Sequence, residues 1–225
     1  MESLGRLGCV GGGALPQHGV RGRDGGRSPP INRRAKRATF LTHPFYCGII
    51  YLVIMKTTNF GTRLMVEDAQ SLVTPLPGQA FIGVLVDCIS QVKYSLDIIQ
   101  YQWNWYPGQP NSQVQKLNRA VLSQAEAGKK IRVLLNKEGR AQHLTVINMK
   151  AAGFLGEAGI SVKFARTFPT THAKLWIFDD DEVILGSHNL SNRSVTVNNE
   201  CSALIKSREV AREFKRYFEV LWGLS

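Results

Sequence analysis

The segment THAKLWIFDDDEVILGSHNLSNRSVTVNNE, residues 171–200, concentrates side chains that can bind an anion and move protons. His172 and Lys174 stand two positions apart at the head of an apolar run, and Ser187 and Asn189 repeat that spacing after the next run. Residues i and i+2 of a β-strand share one face. If the two predicted strands are neighbours, an imidazole, an ammonium, a hydroxyl and a carboxamide therefore meet at one end of a sheet.

A cluster of this composition suits a phosphate group. Lys174 supplies a positive charge, while Ser187 and Asn189 supply neutral hydrogen-bond donors. His172 has two candidate roles, as a general base or as a nucleophile. Glu200, at the end of the segment, is a candidate carboxylate for fixing the tautomer of the imidazole ring.

The segment contains no set of residues spaced like metal ligands, and the acidic triplet at 179–181 is typical of a turn between strands. The four cysteines of the chain are scattered without CxxC spacing, which argues against a zinc knuckle or a disulfide framework. Direct attack by the imidazole on phosphorus is therefore favoured over attack by a metal-activated water. Any one of these polar residues alone is more often structural, but their joint spacing favours a functional site.

The elements that must position this segment follow from hydrophobic periodicity. Apolar residues recur at helical spacing in four regions: 81–92, 114–128, 141–158 and a C-terminal stretch through Val210 and Leu221. Short apolar runs between breaks predict five strands: 94–103, 129–136, 160–165, 172–179 and 182–188. This alternation predicts an α/β fold with a mixed central sheet flanked by helices on both faces.

The length of 225 residues leaves room for one ordinary domain, and the hydrophobic fraction of 44% is sufficient for a packed core. We assign residues 78–225 to this domain, residues 55–77 to a linker or N-terminal arm, and residues 1–54 to a disordered or targeting extension. The extension contributes +6 to the formal charge of +11, which leaves +5 for the remainder. A polyanionic partner fits this balance.

The extension itself has two parts. Residues 1 to about 40 are rich in glycine and arginine and are predicted to be disordered. The apolar run FYCGIIYLVIM, residues 45–55, is too short to span a bilayer. It either belongs to a targeting signal or precedes a functional start at Met55. The expected location is cytoplasmic, or secreted, periplasmic or organellar if the extension is a targeting signal.

A family resemblance follows from the motif. The string His172-x-Lys174-x4-Asp179-x6-Gly186-Ser187-x-Asn189 matches the HxKxxxxDxxxxxxGSxN signature of the phospholipase D superfamily at every named position. A single copy in a short chain resembles the Nuc-type endonuclease branch. The resemblance covers roughly residues 78–223, including the order of the helices.

The resemblance implies roles for individual residues. Members of the superfamily use the motif histidine as the nucleophile that forms a phosphohistidine intermediate, which assigns that role to His172. The motif lysine and asparagine bind the non-bridging phosphate oxygens, which assigns Lys174 and Asn189. Glu200 stands where Nuc-like members carry an acid that orients the histidine. Ser187 matches a further residue of the site.

The resemblance also implies an assembly. The superfamily uses two motif histidines, one to attack and one to protonate the leaving oxygen, and this chain carries one motif. A homodimer with two copies of His172 at one shared site is therefore implied. No cofactor or metal is implied, and Asp179 corresponds to a structural or electrostatic support.

The substrate has alternatives. The favoured hypothesis is a nuclease that hydrolyses DNA or RNA, and the second is a lipid hydrolase acting on cardiolipin or phosphatidyl headgroups. A third hypothesis, a non-catalytic nucleic-acid-binding module, does not explain why a nucleophile is present. Basic residues that would serve a polyanionic backbone are Lys129, Lys130, Arg132, Lys137, Arg140, Lys163, Arg166 and Arg193.

Aromatic residues cluster in QYQWNWYP, residues 100–107. They follow a strand that is expected to end near the site. Tyr101, Trp103, Trp105 and Tyr106 are candidates for stacking on unpaired bases or for entering a membrane interface. Ordinary packing at the end of a strand is an equal alternative.

Overall fold

The apolar runs of the sequence form a seven-stranded mixed sheet in the computed structural model, which describes residues 70–138, 142–166 and 169–225. The predictions for residues 1–54 and for most of the 55–77 arm lie outside the described residues. None of the described helices is long and apolar enough to cross a membrane.

The sheet is parallel on one side and antiparallel on the other. Its order is β1-β7-β6-β5-β2-β3-β4, in which β2–β3 and β3–β4 pair in parallel and all other neighbours are antiparallel. Every residue of the central strand β5 is buried, because helices cover both faces. The strands are β1 Leu72–Pro77, β2 Ser95–Gln100, β3 Lys130–Leu135, β4 Ser161–Phe164, β5 Lys174–Phe178, β6 Glu182–Gly186 and β7 Cys201–Lys206.

Helices lie on both faces, as the alternating pattern predicts. Leu96, Ile98 and Trp176 face a core shared with the first three helices, while Leu175 and Ile177 pack against the last helix. The helices are α1 Ala80–Ser90, α2 Gln113–Glu126, α3 Gln142–Glu157, α4 Asn192–Thr196 and α5 Arg208–Leu224. The predicted α/β class with a mixed central sheet is confirmed.

The sequence analysis did not predict β1, β7 or the short α4. Residues 72–77, assigned to a linker or arm, instead pair with β7 as an edge strand. Pro75 and Pro77 interrupt the strand pattern there, since proline has no N–H for a sheet ladder and is confined to edges. The first half of β7, Cys201 to Ala203, consists of small residues that give a weak hydrophobic signal.

The directions of the strands bring the ends of several strands to one edge of the sheet. Strands β2, β3 and β6 end there, at Gln100, Leu135 and Gly186, and strands β5 and β7 begin there, at Lys174 and Cys201. The register places Gln100 directly opposite Lys174. This is the site edge of the sheet, and it carries the predicted polar pairs.

A buried carboxylate ties α5 to the sheet. Asp97 on β2 is 2% exposed, and its oxygens accept hydrogen bonds from Arg132 at 2.7 and 2.9 Å and from Lys215 at 2.5 Å. Arg132 also binds Glu219 at 2.7 Å, and Lys215 binds Asp180 at 2.8 Å. Two cations and three carboxylates thus form one network between β2, β3, α5 and the turn after β5.

Replacing Asp97 with asparagine is expected to lower the free energy of unfolding by about 3 kcal/mol, because removing one member of a buried ion pair leaves its partners poorly compensated. Urea unfolding at neutral pH measures the loss. The matched control is Glu213→Gln, which breaks the exposed ion pair with Arg216 and should cost less than about 1 kcal/mol. Equal losses in the two variants would contradict a special role for the buried network.

Candidate active site

His172 and Lys174 lie together at the site edge, where β5 begins. Lys174 shares a face of β5 with Trp176 and is only 7% exposed, whereas His172 is open to solvent. The Lys174 Nζ donates to the backbone oxygen of His172 at 2.8 Å and lies 3.2 and 3.3 Å from the two ring nitrogens. The predicted pairing of imidazole and ammonium is therefore present.

Tyr101 and Glu138 complete one wall of this pair. The Tyr101 ring centroid lies 4.3 Å from that of His172, and the Lys174 Nζ lies 4.8 Å from the same Tyr101 centroid. The Tyr101 hydroxyl donates a short hydrogen bond to Glu138 Oε1. Glu138 follows β3 and was not predicted as a site residue, because its contact with Tyr101 spans 37 positions of sequence.

Burial and neighbouring charges set the protonation of the cluster. Burial lowers the pKa of Lys174 to about 8, against the raising effect of Glu200. Burial and the Lys174 charge also lower the pKa of His172, which Glu138 partly opposes. The hydrogen bond to Glu138, followed by burial, raises the pKa of Tyr101 to about 12. At neutral pH the imidazole is therefore largely neutral, the ammonium charged and the phenol protonated.

Ser187 and Glu200 meet beside this cluster. The Ser187 hydroxyl donates to Glu200 Oε2 at 2.5 Å, while Ser194 and Asn198 donate to Oε1 at 3.0 and 3.2 Å. Burial raises the pKa of Glu200, but these three hydrogen bonds outweigh it and lower the pKa. Among the described residues no hydrogen bond joins Glu200 to His172, so its role in orienting the imidazole stays a prediction.

The backbone of Asn189 is held by a hydrogen bond, whereas its side-chain oxygen has no partner among the described residues. Its backbone N–H donates to Ser194 Oγ at 2.9 Å, and Ser194 is in turn fixed by the Ser191 cap of α4. The buried side-chain oxygen Oδ1 has no hydrogen-bond partner among the described residues. A buried amide with an unsatisfied atom is costly unless a ligand or water meets it. An amide oxygen accepts hydrogen bonds, as do the non-bridging oxygens of a phosphodiester, so this atom does not itself bind phosphate and the phosphate-binding role of Asn189 stays a prediction.

His188, in the middle of the same GSHN string, has a structural role that the sequence analysis missed. It is fully buried and stacks on Phe81 at 4.1 Å. Its Nε2 lies 3.0 Å from the Gly78 carbonyl, which can only accept, so Nε2 donates and Nδ1 accepts from Ser202 Oγ at 2.7 Å. The loop that carries Ser187 and Asn189 is thereby fixed to β7 and to the start of α1.

Asp179 lies at the opposite end of β5 from His172. Its carboxylate accepts backbone hydrogen bonds from Lys93 and Tyr94, both at 2.8 Å, and from Ser95 at 2.9 Å. Its own backbone has a positive φ of 53° in the turn that follows β5. Asp179 thus fixes the start of β2 against the end of β5, which agrees with a supporting role away from the reacting groups.

The aromatic cluster divides between the site and the core. Trp103 is fully buried and donates from Nε1 to Asn118 at 2.8 Å. Trp105 stacks on Phe154 at 4.1 Å, and Tyr106 packs against the same core. The packing alternative therefore describes these three residues, and Tyr101 alone of the four contacts the site.

The predicted basic residues do not form one surface. Lys163 and Arg166 donate to backbone oxygens near the end of α5, at 2.8 Å to Trp222 and 2.6 Å to Leu224. Arg132 belongs to the buried network with Asp97. Lys129 and Lys130 stand at the start of β3, on the edge opposite the site. The structure therefore places Lys129, Lys130 and Arg132 away from the motif, and a polyanion-binding role for Lys163 and Arg166, at and just beyond the site end of β4, stays a prediction.

Two further basic residues lie near the site in the described part of the chain. Lys137 is exposed just after β3, and Arg193 is exposed on α4, where it donates to Asn198 at 3.2 Å. Arg140 lies outside the described residues. No group of three or more His, Cys, Asp or Glu side chains able to hold a metal ion occurs in the described part of the chain.

Comparison with known proteins gives a family match and two curated relatives. Residues 85–222 match the family profile described as "Cardiolipin synthase, PLD-like domain". The 5'-3' exonuclease PLD3 of Xenopus laevis is 26% identical over 171 residues, or 71% of this chain. The virion nicking-joining enzyme of vaccinia virus (strain Western Reserve) is 25% identical over 143 residues, or 61% of this chain. The chain spans about a third of each relative, 33% and 32%.

A solved structure shares the fold. The phospholipase D family member Nuc from Salmonella typhimurium superimposes with a TM-score of 0.58 at 18% sequence identity. The match covers 69% of this chain and 96% of that chain. The sheet with its flanking helices is therefore an arrangement already seen in a protein of that family.

The close approach of β6 and β7 generates a test of the site scaffold. A Cβ atom on Gly186 would lie 2.2 Å from Ser202 Oγ and 2.4 Å from Ser202 Cα. We expect Gly186→Ala to lower the free energy of unfolding by about 1 to 3 kcal/mol, since backbone must shift to relieve the overlap. Thermal or urea unfolding measures this loss.

The control is Gly83→Ala in α1, where an added Cβ meets nothing within 4 Å. That substitution is expected to stabilise the protein by roughly 0.5 to 1 kcal/mol, because alanine favours the helix more than glycine does. A Gly186→Ala protein as stable as the wild type would show that the two strands tolerate a wider spacing.

Proposed function

This chain belongs to the phospholipase D superfamily, and from that membership we propose that it is a phosphodiesterase that hydrolyses nucleic acid. The observation that carries the proposal is the contact at the site edge between an exposed, neutral imidazole and a buried ammonium. His172 offers the lone pair of a ring nitrogen, and Lys174 offers a positive charge 3.2 Å away. These are the two groups that attack on a phosphodiester requires.

In the first step, a ring nitrogen of His172 attacks phosphorus and forms an N–P bond while the bond to the leaving oxygen breaks. The leaving oxygen takes a proton from a second imidazolium. Lys174 and Asn189 stabilise the charge on the non-bridging oxygens as it develops. In the second step, water attacks phosphorus, the N–P bond breaks, and the second imidazole accepts the proton of that water. The phosphohistidine is thereby hydrolysed and both imidazoles are restored.

The second imidazole is proposed to come from a second copy of the chain. His172 is exposed, so two copies can meet around a two-fold axis with both histidines at one phosphate. The low pKa of His172 favours its role as nucleophile. The acid role of the other copy depends on the negative charge of the bound phosphodiester, which raises the pKa of a nearby imidazole.

Nucleic acid is the proposed substrate on two grounds. Both curated relatives carry names of enzymes that act on nucleic acid, an exonuclease and a nicking-joining enzyme. Lys137 and Arg193 also place positive charge beside the site, where a polyanionic backbone would pass. The family profile names a cardiolipin synthase, so an anionic phospholipid is the second candidate and forms one arm of the test.

The protein of residues 1–225 and its His172→Asn variant are expected to differ in cleaving labelled single-stranded DNA in excess EDTA. The wild type should cut, because the reaction uses imidazole and ammonium groups of the chain. The variant should lose at least ~1,000-fold in rate, since it lacks the nucleophile and the leaving-group acid. Gel analysis of the labelled products measures the rate.

The same pair of proteins is then assayed on RNA and on vesicles containing cardiolipin. Cleavage of RNA alone would restrict the proposal to ribonucleic acid, and cleavage of the lipid alone would replace it with the lipid hydrolase. Cutting that survives in the variant would contradict the histidine mechanism. Rapid acid-free quenching should also trap a radiolabelled phosphoryl adduct on the wild type and none on the variant.

Mixing tests the shared site. A growing excess of His172→Asn protein, after exchange of subunits, should suppress wild-type cleavage, because a mixed dimer retains one imidazole and cannot both attack and protonate. The cleavage rate per wild-type chain measures the effect, and light scattering gives the mass of the assembly. The control is an equal excess of Glu213→Gln, which is altered far from the site and keeps its own His172, so the rate per total chain should stay that of the wild type. A rate that does not depend on added variant would contradict the dimer.

A further inference from the structure

Tyr101 and Glu138 form a pair that the proposed reaction leaves without a role. Tyr101 follows β2 directly, and its hydroxyl donates to the Glu138 carboxylate after β3. Glu138 is itself anchored to α3, since its backbone N–H donates to Thr145 Oγ1 at 3.2 Å and its carbonyl accepts from that hydroxyl at 3.1 Å. The phenol ring is thus fixed by its own strand at one end and by a second strand and a helix at the other.

The fixed ring touches both reacting groups. It meets the imidazole of His172 at 4.3 Å between centroids, with an angle of 56° between the planes. Its face lies 4.8 Å from the Lys174 ammonium, within the range in which an aromatic ring attracts a cation. One side chain therefore limits the motion of the imidazole and stabilises the charge beside it.

The geometry points to Tyr101 and Glu138 as positioning residues for His172 and Lys174. We propose that the ring holds the imidazole in one orientation, ready for attack, and keeps the ammonium beside it. Glu138 holds the ring through the phenol. The inference rests on the proposed phosphodiesterase function and deepens it.

This assignment explains a feature of the site. His172 is exposed, and Glu200 directs its carboxylate to Ser187, Ser194 and Asn198. Within the described chain, the ring contacts of His172 are those with Tyr101 and Lys174. Within a single copy, Tyr101 is therefore the side chain placed to orient the imidazole, and the role that the resemblance gives to Glu200 stays a prediction.

The charged groups around the pair give the inference a pH signature. Burial lowers the pKa of Lys174 and that of His172, and the negative charges of Glu200 and Glu138 respectively oppose this lowering. The phenol of Tyr101 stays protonated up to a pH of about 12, so it adds no charge of its own in the working range. The activity of the wild type should fall as the pH rises through about 8, where Lys174 loses its proton.

Three substitutions separate the parts of the pair. Tyr101→Leu removes the ring but keeps the site covered, so kcat should fall by ~100-fold with little change in KM, as expected for misaligned reacting groups. Tyr101→Phe keeps the ring and loses the bond to Glu138, and should lose roughly tenfold. Glu138→Gln keeps an uncharged and therefore weaker acceptor for the phenol, so kcat should fall, but by less than in Tyr101→Phe.

Two readouts distinguish positioning from a merely structural role. The alkaline limb of kcat/KM should move to lower pH by roughly half to one unit in Tyr101→Leu, because the ammonium loses its aromatic face. It should not move in Tyr101→Phe. In NMR titrations, the His172 signal is assigned from the His172→Asn spectrum. This signal should titrate at lower pH in Glu138→Gln than in the wild type, because burial lowers the pKa of His172 and Glu138 opposes this lowering.

Unfolding curves confirm that each variant is folded. The inference would be overturned if Tyr101→Leu had the same kcat, the same alkaline limb of kcat/KM and the same His172 titration as the wild type. Loss of activity in folded Tyr101→Leu without a shift of the alkaline limb or of the His172 signals would also overturn it. If the wild type cleaved neither nucleic acid nor lipid while the His172 signals still moved in Tyr101→Leu and Glu138→Gln, the contact would stand and the proposed function would fail.

Discussion

The desolvated ammonium of Lys174 is the constraint on which the rest of the site depends. A charge this deeply buried is unfavourable unless hydrogen bonds and neighbouring charges compensate it. Compensation comes from the carbonyl of His172, the ring face of Tyr101 and the field of Glu200. These groups flank the ends of three different strands, β5, β2 and β7, so the cation is tolerated only where those ends meet. In the sheet order β5 lies between β2 and β6, and β7 lies beside β6, which brings all three ends to the site edge.

A second layer of contacts keeps that edge in register. His188 joins the loop after β6 to β7 and to the start of α1. The backbone N–H of Gly78 also donates to the backbone carbonyl oxygen of Glu200 at 2.8 Å. At the far end of β5, Asp179 ties the start of β2 to the same strand. The imidazole of His172 is exposed, whereas His188, which fixes the neighbouring loop, is fully buried. This division lets a solvent-facing imidazole occupy a defined place.

The sequence was sufficient for the parts of the site that depend on local spacing. His172 and Lys174 share a face because two residues separate them in an extended chain, and β5 and β6 pair because one short turn joins two apolar runs. The contact of Tyr101 with Glu138 was not predictable, because it depends on β2 and β3 being parallel neighbours. The partners of the basic residues were not predictable either, because the sequence does not show whether Lys163 faces solvent or, as here, the last carbonyls of α5. Edge strand β1 was missed because its prolines resemble a linker.

Those prolines have a consequence for the behaviour of the protein in concentrated solution. A sheet with an open edge can recruit a strand from another molecule, and this is a common route to fibrils. Pro75 and Pro77 leave β1 without two of the donors that such recruitment needs, and at the other end β4 offers only four residues. Both borders of the sheet are thus poor templates for growth. Within the described part of the chain, helix surfaces and the site edge are then the places where molecules can contact one another. Such contacts favour finite assemblies over open polymers.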